Sequence, residues 1–188
     1  MDQFQIVCIG GPSGVGKDTI VTRFLEKRSD YVRVPRITTR LPRSGEINGF
    51  HYRFISRSEF ESQKDAGEIL IHELFCGEYY GINTSLISSV LTRGNRVIGT
   101  FGTCSIDLRS FFKRGCSLIY LSAPRHIIAE RMRRRGDQET QIQIRLKAVE
   151  REYHPDYQQH FDYILDNTVP VDETVFNLLR LVDGNATV

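Results

Sequence analysis

Apolar residues fall in two alternating rhythms along this chain. Phe4 to Ile9 is a short apolar run closed by glycine, which predicts a buried parallel strand. From Lys17 to Lys27 the apolar residues Ile20, Val21, Phe24 and Leu25 stand at helical spacing. The same alternation returns later in the chain. A helix is predicted over Thr84–Arg93, ended by Gly94, and strands over Arg96–Phe101 and Cys116–Ser122. Pro124 opens a helix that runs into Glu130–Asp137, and a second helix covers Glu139–Glu152. Asp162–Asn167 reads as a last strand and Val171–Leu181 as a closing helix. Strands alternating with helices predict an α/β fold, with a mostly parallel sheet covered on both faces.

The span from about Pro35 to Asn83 breaks this rhythm. It is rich in Pro, Gly, Arg and aromatic residues and holds short strand-like pieces such as Phe50–Ser56. One helix is predicted in it, over Ser58–Ala66, with Ser58 as N-cap and Glu61 completing a capping box. This span reads as a small β-rich insertion between two βα units. No repeat or linker divides the chain. The expected organisation is one domain over residues 1–188, with a core of 1–34 and 84–188 and an insertion at about 35–83.

Composition narrows the picture further. The 188 residues suffice for one domain with a real core, and 40% hydrophobic with 26% charged residues is ordinary for a globular protein. A net charge of +2 gives no polybasic argument for nucleic acid or membrane as a partner. The four cysteines, Cys8, Cys76, Cys104 and Cys116, form no C-x-x-C pair, and Cys8 and Cys116 lie in apolar runs. A reducing compartment, the cytoplasm, is therefore expected rather than a disulfide framework or a zinc site. The N-terminus, with an acidic second residue and a short apolar run, reads as a strand and not as a signal peptide. No run approaches the ~18 apolar residues of a membrane span. Oligomeric state leaves no signal in the sequence.

The first predicted strand leads into Gly11-Pro12-Ser13-Gly14-Val15-Gly16-Lys17, a phosphate-binding loop by spacing and by context. Its glycines permit a tight turn whose N–H groups point at phosphate oxygens, and the following helix adds its positive end. Lys17 is placed to contact the β- and γ-phosphates of ATP. The next position, where Ser or Thr is usual, is Asp18. A carboxylate beside a triphosphate is repelled unless a cation intervenes, so Asp18 is a candidate magnesium ligand, directly or through water. Alternatively Asp18 favours the helix start and Thr19 supplies the hydroxyl.

The second signal is Arg36–Phe54, with Thr38, Thr39, Arg40, Arg43, Gly45, Glu46, Gly49 and Tyr52 in the spacing T-T-R-x-x-R-x-G-E-x-x-G-x-x-Y; Gly77–Gly81 follows as G-x-Y-Y-G. Two arginines three apart with phenols nearby suit a dianionic phosphate monoester. With the phosphate loop, these motifs resemble the guanylate kinase family over most of the chain, as far as Asn167. The resemblance implies a P-loop NTPase three-layer sandwich with a parallel sheet and a helical lid over about 131–146. It implies that Arg40, Arg43, Tyr52 and Tyr80 grip the acceptor's phosphate, with Arg36, Glu46 and Thr100 also at acceptor positions. Residues Gly11 to Thr19 and Asn167 fall at ATP positions. Arg131, Arg135 and Arg145 match the lid arginines; Arg131 and Arg135 are i,i+4 and share a helix face. Cations on a closing segment stabilise the moving phosphoryl group and exclude water.

Several positions depart from the family pattern. Arg36 replaces a Ser, Ile71 a Glu, Ile82 a small hydroxyl residue, and Thr100 and Gly102 the two carboxylates of D-x-D. The phosphate clamp is kept while the guanine reader is rewritten, although Glu73 shares the face of Ile71 on a regular strand. Gly16-Lys17-Asp18, Arg36 before Ile37-Thr38-Thr39-Arg40, and Tyr80-Gly81-Ile82 also resemble ribose 1,5-bisphosphate phosphokinases, for which an extra arginine suits a second phosphate. The expected function is an ATP-dependent phosphotransferase using Mg²⁺ and acting on the phosphate of a nucleoside monophosphate, GMP first. Ribose 1,5-bisphosphate is the alternative acceptor, and a non-catalytic binding module the second alternative. The partners expected are these small molecules.

Overall fold

The computed structural model describes residues 5–102, 104–112 and 115–184, so Phe4, the first residue of the predicted opening strand, lies outside the described residues. The chain runs β1 (Ile6–Gly10), α1 (Lys17–Leu25), β2 (Tyr31–Arg33), β3 (Arg36–Thr38), β4 (Tyr52–Phe54), α2 (Arg57–Asp65), β5 (Ile71–Phe75) and β6 (Glu78–Ile82). It continues through α3 (Thr84–Thr92), β7 (Arg96–Gly99), α4 (Cys104–Phe112), β8 (Cys116–Ser122), α5 (Arg125–Arg134), α6 (Glu139–Ala148), α7 (Pro155–Gln158), β9 (Tyr163–Asp166) and α8 (Val171–Val182).

Five strands form one parallel sheet in the order β2-β7-β1-β8-β9. Strand alternation explains why it needs helices on both sides. Val7 and Ile9 of β1 face one core with Ile20 and Phe24 of α1, Ile128 and Met132 of α5, and Val175 and Leu178 of α8. Ile6 and Cys8, one residue out of phase, face the other core with Ile87 of α3, Cys104 and Leu108 of α4, and Phe161. Each such fully buried aliphatic side chain contributes on the order of 1.5–3 kcal/mol. This is the three-layer arrangement, and it brings the C-terminal end of β1, where the phosphate loop starts, to one edge of the sheet.

A second, four-stranded sheet in the order β4-β3-β6-β5 comes from the Arg36–Ile82 span. Its β3/β4 pair is parallel and its β3/β6 and β5/β6 pairs antiparallel. Helix α2 seals it with Phe60 against Ile37 and Ile69.

The structure corrects some boundaries. The N-cap of α2 is Ser56, whose Oγ accepts from the Glu59 N–H at 3.1 Å; the same S-x-x-E pattern sits two residues before the predicted Ser58–Glu61 pair. The predicted Glu139–Glu152 helix is broken at buried Val149, and Glu150–Tyr153 forms a separate 3₁₀ turn. Helix α4 and strand β2 were not anticipated. The first does carry Cys104, Leu108, Phe111 and Phe112 at helical spacing, a signal that was passed over, and the second is only three residues long. Among the described residues no helix is long and apolar enough to cross a membrane.

Candidate active site

Gly16 caps α1 in the left-handed region at φ 110°, and a Cβ there would stand 2.9 Å from Asn167 Nδ2. Only glycine combines that conformation with that approach. The loop is braced from outside by two predicted site residues. Asn167 Nδ2 donates to the Val15 carbonyl at 2.7 Å, while its Oδ1 accepts from the Thr174 hydroxyl at 2.9 Å. Arg131 donates to the Val15 carbonyl at 2.7 Å and to the Asn167 carbonyl at 2.6 Å. Lys17 Nζ folds back onto its own loop, donating to the carbonyls of Gly11 at 2.6 Å and Pro12 at 3.0 Å. Burial lowers its pKa, opposed by Glu152 and Asp18. The Asp18 carboxylate accepts from Arg33, whose guanidinium lies over the Phe50 ring at 5.1 Å.

The residues expected to form an acceptor clamp lie on the second sheet and the loop after β3. Arg40 is held by Glu46 through two bonds, Nη1 to Oε2 at 2.7 Å and Nη2 to Oε1 at 2.6 Å. Glu46 also accepts from the Arg43 backbone N–H at 2.7 Å, so one carboxylate sets both clamp residues. The Arg40 guanidinium lies over the Tyr52 ring at 4.9 Å. Burial lowers the pKa of Arg43, and so does the proximity of Arg135, Arg145 and Arg40. A cluster of like charges of this kind is arranged for an anion.

Two cavities meet at this cluster. One is lined by Arg36, Arg40, Arg43, Tyr52, Glu73, Tyr80, Arg145 and Glu152. The other is lined by Gly14, Gly16, Asp18, Thr19, Arg131, Arg135 and Asn167. Ser13, Lys17, Arg43 and Tyr52 line both. The two cavities therefore adjoin at Lys17 and Arg43.

A sequence profile described as guanylate kinase matches residues 3–184 of this chain. The chain belongs to the guanylate kinase family. Guanylate kinase of Prochlorococcus marinus is 31% identical over 180 residues, covering 95% of this chain and 96% of that protein. Guanylate kinase of Idiomarina loihiensis is 32% identical over 166 residues, covering 87% and 79%. Solved structures bear on the fold. Guanylate kinase from Anaplasma phagocytophilum superposes with a TM-score of 0.77 at 22% identity, over 97% of this chain and 86% of that one. Shikimate kinase from Acinetobacter baumannii in complex with shikimate gives 0.53 at 14% identity, over 100% and 97%. The chain is thus a phosphotransferase of the nucleoside monophosphate kinase type.

Within this guanylate kinase family chain, two of the positions that depart from the family pattern, Arg36 and Gly102, come together in space. Arg36, 8% exposed, donates from Nη1 to Glu73 Oε1 at 2.7 Å and to the Phe101 carbonyl at 2.9 Å, and it lies over the Tyr80 ring at 4.7 Å. Ile71 packs in the core instead, and Thr100 is buried without lining the acceptor cavity. Arg135 is bonded to Asp137, and Arg145 reaches Ser13 Oγ at 3.3 Å, tying α6 to the phosphate loop.

Glu73, Arg33 and Glu152 join the site although none was among the predicted residues. Glu73 carried a sequence signal, its shared strand face with Ile71. Arg33 and Glu152 carried none, since both arrive from short elements whose placement is tertiary. Glu152 is 6% exposed and lines the acceptor cavity; burial raises its pKa, with Lys17 opposing.

Proposed function

We propose that the chain transfers the γ-phosphoryl group of ATP to the phosphate of GMP, giving ADP and GDP. One observation carries the choice of acceptor. The cavity that holds the clamp also holds Arg36, but Arg36 is already paired with Glu73, and Glu152 adds a second carboxylate. An acceptor with one phosphate and a neutral, hydrogen-bonding body suits that lining. A second phosphate, as in ribose 1,5-bisphosphate, would meet Glu73 and Glu152.

In this reading Lys17, the loop N–H groups and the N-terminus of α1 hold the donor phosphates. Arg40 and Arg43 hold the acceptor phosphate, with Tyr52 and Tyr80 beside them. Arg43, Arg135 and Arg145 spread positive charge over the group in transit, and Arg131 with Asn167 fixes the loop. No general base is required, because the nucleophile is an anionic phosphate oxygen. Among the described residues no three His, Cys, Asp or Glu side chains cluster as a metal site. Asp18, which lines the donor cavity, would be the protein carboxylate nearest a magnesium ion that accompanies the nucleotide, holding it through a water. Bound there, the ion neutralises the donor phosphates.

The test is ADP release with Mg-ATP and a panel of GMP, dGMP, AMP, UMP and ribose 1,5-bisphosphate. GMP turnover well above the rest is expected. Preference for the bisphosphate would overturn the proposal.

A further inference from the structure

Cys8 and Cys116 stand on neighbouring parallel strands, β1 and β8, and on one face of the main sheet, since Ile6 is level with Cys116 and Cys8 with Leu118. Both thiols are free, and their sulfurs are 3.5 Å apart in a shared hydrogen bond. Cys8 is fully buried, whereas Cys116, the first residue of β8, is only partly covered. The hydrogen bond with Cys8 lowers the pKa of Cys116, helped by Arg109 of α4 and opposed by burial and Asp162. Burial pushes the Cys8 thiol up. Cys116 is thus the thiol that ionises, with the Cys8 S–H donating to it. The other two cysteines differ. Cys76 is exposed in the turn between β5 and β6, and burial pushes the Cys104 thiol up to about 12. A partly exposed thiolate beside a second, resolving thiol is the arrangement that oxidants attack selectively.

We infer that Cys8 and Cys116 are an oxidation site, at which a hydroperoxide closes an intrachain disulfide that weakens ATP binding at the phosphate loop. The Cys116 thiolate attacks one peroxide oxygen. An S–O bond forms, the O–O bond breaks, and the other oxygen leaves and takes up a proton. The Cys8 sulfur then attacks the Cys116 sulfenic acid. The S–S bond forms, the S–O bond breaks, and hydroxide departs with the Cys8 proton as water. Two electrons pass from the two thiols to the peroxide. Closing the bond brings the sulfurs about 1.5 Å nearer, from 3.5 Å to the roughly 2.0 Å of a disulfide. That movement pulls β1 against β8 just ahead of the loop. The junction there has no slack, because a Cβ on Gly11 would stand 2.4 Å from the Leu121 carbonyl oxygen of β8. A shift between the strands is therefore passed to the N–H groups and to Lys17, whose Nζ is bonded to the Gly11 carbonyl.

The experiment treats the folded chain with hydrogen peroxide, blocks the remaining thiols, and maps the peptides by mass spectrometry. Calorimetry on the same samples gives Kd for Mg-ATP, a readout that does not depend on which acceptor the chain uses. A peptide pair joined through Cys8 and Cys116 is expected, and dithiothreitol should reopen it. Kd should rise by about fivefold or more on oxidation, the lower end of ordinary coupling between sites, and return on reduction. In Cys116→Ser peroxide should leave Kd unchanged, which separates this pair from any oxidation of exposed Cys76. In Cys8→Ala the Cys116 sulfur should stop at the sulfenic acid and be trapped by dimedone. Cys116 is partly exposed, so Cys116→Ser decides the matter by itself if the buried Cys8→Ala change prevents folding. Peroxide that leaves Cys8 and Cys116 unlinked overturns the inference, and so does a linked chain that binds Mg-ATP as the reduced chain does.

Discussion

Glu46 meets Arg40 at two points, with N–O distances of 2.7 and 2.6 Å, and takes the Arg43 backbone N–H on the same carboxylate. Both partners of this ion pair are largely buried, so removing one leaves an uncompensated charge. Glu46→Ala should cost about 3 kcal/mol in chemical denaturation. Glu46→Gln should fold but raise KM for the acceptor by about tenfold, because a neutral amide orients the arginine less firmly. KM for ATP should not move. Equal increases in both constants would show that Glu46 does not act through the clamp.

The Arg43, Arg135 and Arg145 cluster should make thermal stability depend on anions. ATP and GMP added together should raise Tm by several degrees, since ligands that bind only the folded state stabilise it by mass action. Replacing Arg145 by Gln should remove most of that gain, while the ligand-free Tm stays level or rises as like-charge repulsion falls. A thermal-shift titration with and without nucleotide reads both effects.

Gly102 cannot accept a side chain without displacing the Arg36–Glu73 pair. Gly102→Ala adds a Cβ at positive φ and should destabilise by about 1–2 kcal/mol. It should also weaken acceptor discrimination. Urea denaturation and acceptor kinetics on the same preparation check the two together. Full stability with native kinetics would mean that the guanidinium relaxes freely.

Glu152 supplies a pH test with a definite sign. Burial raises its pKa in the folded state, so the folded chain binds a proton more tightly there than the unfolded chain does. Stability should therefore fall as pH rises from about 4.3, the value of a free glutamate, through the folded value. Glu152→Gln removes that cost. Its Tm should exceed that of the unmodified chain at pH 7.5, and the two should converge near pH 4. A variant less stable at neutral pH would mean that the carboxylate's attraction to Lys17 outweighs its burial.

The phosphate loop was legible from sequence because its parts are contiguous. Gly11 to Lys17 is a single turn between a strand and a helix, and the spacing alone dictates the backbone path. Arg40, Arg43 and Glu46 are likewise local, and the T-T-R-x-x-R-x-G-E spacing already holds the Arg40–Glu46 pair. The pairing of Arg36 was not legible. As a lone extra arginine it suggested a second phosphate on the acceptor. Its actual partner, Glu73, lies 37 residues away on another strand. Asp18 suggested a magnesium ligand from its position alone, and its ion pair with Arg33 at the end of β2 was equally out of reach of the sequence.

Periodicity and local spacing were sufficient for the α/β rhythm, the phosphate loop, the clamp motif and the membership these imply. Backbone conformation and nearest-neighbour chemistry depend mainly on residues within a turn or two. The tertiary structure alone decided which charges remain free to meet a ligand, because an ion pair forms between side chains that the sheet brings together, whatever their separation along the chain. Arg36 and Glu73 are the clearest case. Taken separately they are a spare cation and a carboxylate near a missing one, and together they are an ion pair in the wall of the cavity that also holds Arg40 and Arg43.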